Sequence, residues 1–133
     1  MIGLDTNVLV RYLAQDDKAQ AARATRLIEA ELSDAKPGFV GLVVLVELCW
    51  VLKRLYSASP AELAETIRDL LDSRQLVLER RDVVIAALQM FSAGKADFSD
   101  ALIAAVAAGA GCTETVTFDK LASKLPGVRF LTA

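Results

Sequence analysis

Short apolar or β-branched runs alternate with longer helical stretches along the whole chain, and that alternation constrains the fold more than any other feature. Met1 to Leu4, Phe39 and Val40, Gln75 to Glu79, Thr115 to Phe118 and Val128 to Leu131 are too short for helices and read as strands. Between them, Val8, Leu9, Tyr12 and Leu13 recur at helical spacing, and Lys18 to Leu32 carries an apolar stripe of Ala22, Leu27, Ile28 and Leu32. Val44 to Tyr56 places Leu45, Leu48, Leu52 and Leu55 on one side. Ser59-Pro60-Ala61-Glu62 is a capping box with proline at the first helical position, opening a helix to about Ser73. Asp82 to Phe91, closed by Gly94, and Phe98 to Ala110 are the next helices, and a short one ends at Leu125 before the Pro126-Gly127 turn. Strands joined through helices imply right-handed crossovers and a mostly parallel sheet covered on both faces. The expected class is α/β, in one domain spanning residues 1–133.

Composition narrows the chemistry. With 133 residues, 54% of them hydrophobic, the chain can enclose a core without metal or disulfide staples. It has no histidine, which removes Ser-His-Asp and Cys-His catalysis and His-ligated zinc. Cys49 and Cys112 lie in apolar surroundings without CxxC spacing and read as buried free thiols of a reducing compartment, the cytoplasm. No basic segment precedes the first apolar run and Asp5 interrupts it, so a cleaved signal peptide is not expected. The most apolar stretch, Phe39 to Leu52, has 14 residues and includes Glu47, too short for a membrane span. The net charge of −2, taken alone, argues against a nucleic-acid partner.

In parallel sheets ligands collect beyond the carboxyl ends of the strands. Asp5 follows the first strand and Asp119 a later one, which predicts both at one sheet edge. Each also occupies a helix N-cap position, where an aspartate ordinarily satisfies orphan N–H groups. Glu47 is the only charge between Phe39 and Leu52, and an ionised carboxylate buried on an apolar helix is costly unless hydrogen-bonded, metal-bound or paired, for instance with an Arg or Lys of another helix. Lys53 and Arg54 lie beyond the i+4 reach of a local pair. Asp97 and Asp100, at i and i+3, share a face at the start of an otherwise uncharged helix, where capping explains one acid better than two. Such a cluster of carboxylates would repel itself without a cation. Oxygen ligands without His or Cys select Mg²⁺ or Mn²⁺, and an ion so held activates water and stabilises charge on phosphate, which suits phosphodiester hydrolysis. Thr6, Asn7 and Thr117 are candidates to position the water or a phosphate oxygen. Capping and strand propensity explain them equally well.

MIGLDTNVLVRYL, VVLVELCWVL, KADFSDALIAAVA and VTFDKLASKLPGV, in this order, resemble a PIN-domain ribonuclease, most closely a VapC-type toxin. The resemblance implies a PIN-like α/β/α sandwich with a central mostly parallel sheet and Mg²⁺-dependent endoribonuclease activity, with Mn²⁺ as the substitute. It also implies the toxin role in a toxin–antitoxin pair, inhibition by a VapB-type antitoxin occupying the site, and a homodimer. The family's acids fall on Asp5, Glu47, Asp100 and Asp119. Asp97 matches a further acid, and either it or Asp100, the favoured one, is the direct metal ligand. Gly41 stands where many relatives have serine, which removes one hydrogen bond near the site. Apolar helices at Val44 to Tyr56 and Ala61 to Leu71 are candidate dimer and antitoxin surfaces.

A catalytically silent PIN-fold module binding RNA or protein is the alternative, since fold does not guarantee chemistry. A phosphatase using Asp5 as nucleophile would need a second acid at position 7, which is Asn7. Setting aside Asp5, Glu47, Asp100 and Asp119 leaves 15 basic residues against 13 acidic, a net of +2. The acidity is thus partly local to the proposed site, and Arg11, Lys53, Arg54, Lys95 and Lys120 are available to an RNA backbone.

Overall fold

The computed structural model describes all of residues 1–133 and divides the chain into two compact units, Met1–Glu79 and Arg80–Ala133. The first contains β1 (Ile2–Gly3), α1 (Thr6–Ala14), α2 (Lys18–Arg26), β2 (Gly38–Val40), α3 (Leu42–Tyr56), α4 (Pro60–Asp72) and β3 (Leu76–Leu78). The second contains α5 (Arg81–Ala93), α6 (Phe98–Gly109), β4 (Thr115–Thr117), a 3₁₀ turn (Ala122–Lys124) and β5 (Val128–Phe130).

Every strand pairing is parallel, as helical connections require. In the first unit β2 lies between β1 and β3, with Gly38 opposite Ile2 on one side and Leu76 on the other. In the second, β4 pairs with β5, Thr117 opposite Phe130. Gly38 permits a close approach: a Cβ there would stand 2.8 Å from Leu32 Cδ1 and 2.9 Å from Leu4 Cδ1, both in the buried core. The strands are less completely covered than continuous apolar runs suggest, because Val77 and Val116 remain exposed. No helix is long and apolar enough to cross a membrane.

Several elements differ from the sequence pattern for local reasons. The expected single helix from Lys18 to Leu32 changes pitch after Arg26 into a π-helical turn, Leu27–Glu31, closed by the Leu32 N–H donating to the Leu27 carbonyl five residues back. Ala21, Ala24 and Ile28 form its buried stripe, and Ala22 faces solvent. On α3 the buried residues are Leu45, Leu48, Cys49 and Leu52. Leu55 continues that stripe in phase, yet it is exposed because it lies in the last turn of α3, one residue before the helix ends at Tyr56 and beyond the buried part of the stripe. On α4 the capping box forms as expected, Ser59 Oγ accepting from the Glu62 N–H and Glu62 Oε1 from the Ser59 N–H. Cys49 is buried as expected, but Cys112 is exposed: α6 ends at Gly109, and Gly111, at φ 96°, turns the chain outward.

Residue 41 brings a substitution of function between side chains. Gly41 holds the N-cap position of α3 with no side chain to offer, and Glu79 at the end of β3 takes over, its Oε1 accepting from the Leu42 N–H at 2.8 Å. A Cβ on Gly41 would meet nothing closer than 3.5 Å, and its φ of −75° suits any residue. Glu79→Ala should therefore lower stability in urea unfolding by about 0.5–1 kcal/mol, and adding Gly41→Ser should restore most of it by supplying a local cap. Failure of Gly41→Ser to rescue would show that Glu79 acts otherwise. For the thiols, burial pushes Cys49 up to about 12, so it presents almost no thiolate at neutral pH. A thiol reagent should titrate Cys112 alone in the native chain and both cysteines in denaturant.

Candidate functional site

In the first unit the site residues converge on the start of α1. Asp5 leaves the carboxyl end of β1 and takes the N-cap position of α1, with extended backbone (φ −80°, ψ 158°). Its side chain makes no capping hydrogen bond and is exposed, so the ordinary explanation for an aspartate at this position does not hold. Thr6 follows as the only buried polar side chain in the protein, 3% exposed. Its hydroxyl donates to the Glu47 carboxylate, which ties the first turn of α1 to the second turn of α3.

Glu47 is exposed, and the expected burial of its charge is corrected. Its helix buries the face carrying Leu45, Leu48 and Cys49, which leaves Glu47 on the stripe with Val43, Val46 and Trp50. These residues line a shallow concavity of about 590 Å³. The carboxylate there is hydrated on one side and hydrogen-bonded on the other, so the desolvation cost assumed from its apolar neighbours in sequence is largely absent. Trp50 is 57% exposed, with the Arg54 guanidinium 5.5 Å from its ring centre. Asn7 lines a second groove of about 330 Å³ between α1 and α2, together with Arg11, Gln20 and Arg23. Arg11 donates to Gln20 Oε1 at 2.7 Å and pairs with Asp16 at 3.5 Å, and Arg23 pairs with Glu31 at 2.7 Å.

In the second unit, Asp97 takes the N-cap position of α6 without capping through its side chain, and Asp100 lies in the first turn, half-buried. Both acids are at the positive end of the α6 dipole. Asp119 follows β4, and although Leu121 holds the N-cap position of the 3₁₀ turn, it is Asp119 Oδ1 that accepts from the Ala122 N–H at 3.1 Å. Thr117 Oγ1 accepts from the Asp119 N–H at 3.0 Å, so the threonine fixes the turn that presents the aspartate.

The structure thus brings Thr6 to Glu47 and Thr117 to Asp119 by direct hydrogen bonds. Within neither unit do three or more acidic or thiol side chains gather closely enough to hold a metal ion. Oxygen donors alone are present in both sets, Asp5 and Glu47 in one and Asp97, Asp100 and Asp119 in the other. That donor chemistry fits a hard divalent cation such as Mg²⁺ or Mn²⁺ and no softer metal. Glu79 is the residue that sequence reasoning missed, and its position directly after a strand, as with Asp5 and Asp119, is the signal that marked it.

No curated protein matches the chain at a significant level. A family model described as the PIN domain matches residues 2–128, spanning both units and every acid named above. PIN domains are generally nucleases, typically using divalent metals. With a match over nearly its full length and a parallel α/β architecture to go with it, the chain belongs to the PIN-domain family.

Proposed function

We propose that residues 1–133 act as one PIN domain with Mg²⁺-dependent endoribonuclease activity in the cytoplasm, and that this is the toxin of a toxin–antitoxin pair, silenced by a VapB-type antitoxin. The observation that carries the reading is the pairing at the head of α1: an aspartate at an N-cap position whose carboxylate is not used for capping, followed by a buried threonine holding Glu47. A fold needing only a helix cap would use Asp5 for it. In this reading Asp5, Glu47, Asp100 and Asp119 hold the ion, with Asp97 beside them. When bound, Mg²⁺ or Mn²⁺ lowers the pKa of water and offsets charge developing on the phosphodiester. Thr6 orients Glu47, Thr117 orients Asp119, and Asn7 meets the substrate.

The partner surfaces proposed from the family divide differently between the two helices. On α4, Leu63, Ala64, Ile67, Leu70 and Leu71 are all buried within the chain, so core packing accounts for them. On α3, Val43, Trp50 and Leu55 are 82%, 57% and 70% exposed, which supports α3 rather than α4 as the proposed homodimer or antitoxin surface.

Purified protein freed of antitoxin should cut RNA with Mg²⁺ or Mn²⁺ and stop with chelator. Asp5→Asn should lower cleavage roughly 100-fold or more, since even residues supporting metal ligands contribute 10–100-fold. Full activity in Asp5→Asn would refute the assignment, and a chain that binds RNA without cutting it under any divalent ion would be the silent module instead. Thr6→Val should raise the Mg²⁺ concentration needed for half-maximal cleavage about ten-fold, with Thr6→Ser restoring it. Glu47→Gln should abolish most cleavage while lowering stability by only about 1 kcal/mol, because the amide oxygen can still accept from Thr6 and only the charge is lost.

A further inference from the structure

The most exposed aromatic side chain in the protein adjoins one of the proposed site acids. Phe118 is 67% exposed, ahead of Trp50 at 57% and Tyr56 at 37%. It is not on a loose segment. β4 ends one residue before it, Leu131 donates to the Thr117 carbonyl at 2.7 Å, and Asp119 immediately after it is fixed by Thr117 Oγ1 and by its own bond to Ala122. The ring is therefore presented outward from a hydrogen-bonded turn, at low conformational cost to any partner that stacks on it.

We propose that Phe118 is the stacking platform for a nucleobase of single-stranded RNA flanking the phosphodiester held at Asp119. The inference rests on the nuclease reading and extends it to a residue that positions substrate. Phe118 and Asp119 are consecutive and both exposed, with Cα atoms about 3.8 Å apart across the trans peptide, so a strand whose phosphate reaches Asp119 has a neighbouring base within reach of the ring. Lys120, exposed on the other side of Asp119, supplies a cation for the phosphate on the same turn. Aromatic faces accept every base, which suits a platform beside an acidic centre. Trp50 is the weaker candidate, because Arg54 already occupies one face and its neighbours Val43 and Val46 make a patch of protein-interface character. A protein partner covering Phe118 would also cover Asp119 and Lys120 and strip water from both charges, at a cost a nucleic-acid strand with bound cation does not incur.

The test is fluorescence anisotropy with a short labelled single-stranded RNA of mixed sequence, in Mg²⁺, using the full chain carrying Asp5→Asn to prevent cleavage. Phe118→Ala and Phe118→Leu should each weaken binding about ten-fold, Phe118→Trp should retain it, and the salt dependence should stay unchanged because stacking releases no counterions. Unaltered thermal unfolding of each variant would confirm that the fold is intact. Wild-type affinity in Phe118→Leu would overturn the proposal, since a merely apolar contact tolerates leucine. So would a Phe118→Ala chain that changes its molecular mass by light scattering with RNA affinity intact, which would assign the ring to a protein contact. These failures leave the nuclease reading standing if the wild-type chain cuts RNA. A wild-type chain that neither binds nor cuts RNA removes both.

Discussion

A hydroxyl almost wholly withdrawn from water must find a partner inside the protein, and Thr6 finds the Glu47 carboxylate. Much follows from this one bond. Thr6 is the first residue of α1, so its side chain fixes where that helix begins relative to α3, and Asp5 just before it is set at the carboxyl end of β1 with its side chain outward. Hydrogen bonds to charged groups contribute about 1.5–3 kcal/mol, toward the lower end when the acceptor is hydrated as Glu47 is. The same bond holds one acceptor oxygen of Glu47 in place. Pre-organisation of that kind is what a metal or phosphate site needs, because a flexible glutamate would lose rotamer freedom on each binding event.

The carboxylates of this chain fall into two kinds according to what their oxygens already do. Glu62, Glu79 and Asp119 each accept from a backbone N–H at a helix or turn start and would be recognisable as caps in any protein. Asp5 and Asp97 occupy N-cap positions and do not cap through their side chains, which is the unusual behaviour. Asp119 belongs to the first set and can still serve the proposed site, since a carboxylate offers more acceptor sites than a single N–H consumes. Glu79 shows the reverse economy: where position 41 has no side chain, a glutamate from the next strand satisfies the same orphan N–H and keeps the end of α3 that leads to Glu47 intact.

The fold was legible because it depends on periodicity. The strands follow from short apolar or β-branched runs and the long helices from a 3.6-residue repeat, and the parallel pairing follows from the helices between strands. What the linear pattern concealed was direction. Glu47 lies among apolar neighbours in sequence, yet the face of α3 that the core selects is the one with Leu48 and Cys49, and a rotation of about 100° per residue is enough to put a glutamate in water. Ala22 and Cys112 differ from expectation for the same reason, each apolar and each turned outward by helix phase or by a glycine turn, whereas Leu55 keeps the phase of its stripe and is exposed because it lies in the last turn of its helix. The acids were legible as residues at strand ends, but whether an N-cap aspartate caps depends on a side-chain torsion that no spacing encodes.

Charge gave the least direct signal. A net of −2 is unremarkable for binding RNA only if it is unevenly distributed, and the basic residues near the proposed site are engaged with modest partners: Arg11 with Asp16, Arg23 with Glu31, Arg54 with Trp50. Exposed pairs of this kind are worth at most about 1 kcal/mol and often nothing measurable. A phosphodiester offers the same guanidinium a full negative charge with geometry suited to a forked donor, so exchanging Asp16 or Glu31 for phosphate costs little. The surface pairs therefore hold Arg11 and Arg23 at the α1–α2 groove without competing strongly for them, so the net acidity of the chain does not count against the proposed RNA substrate.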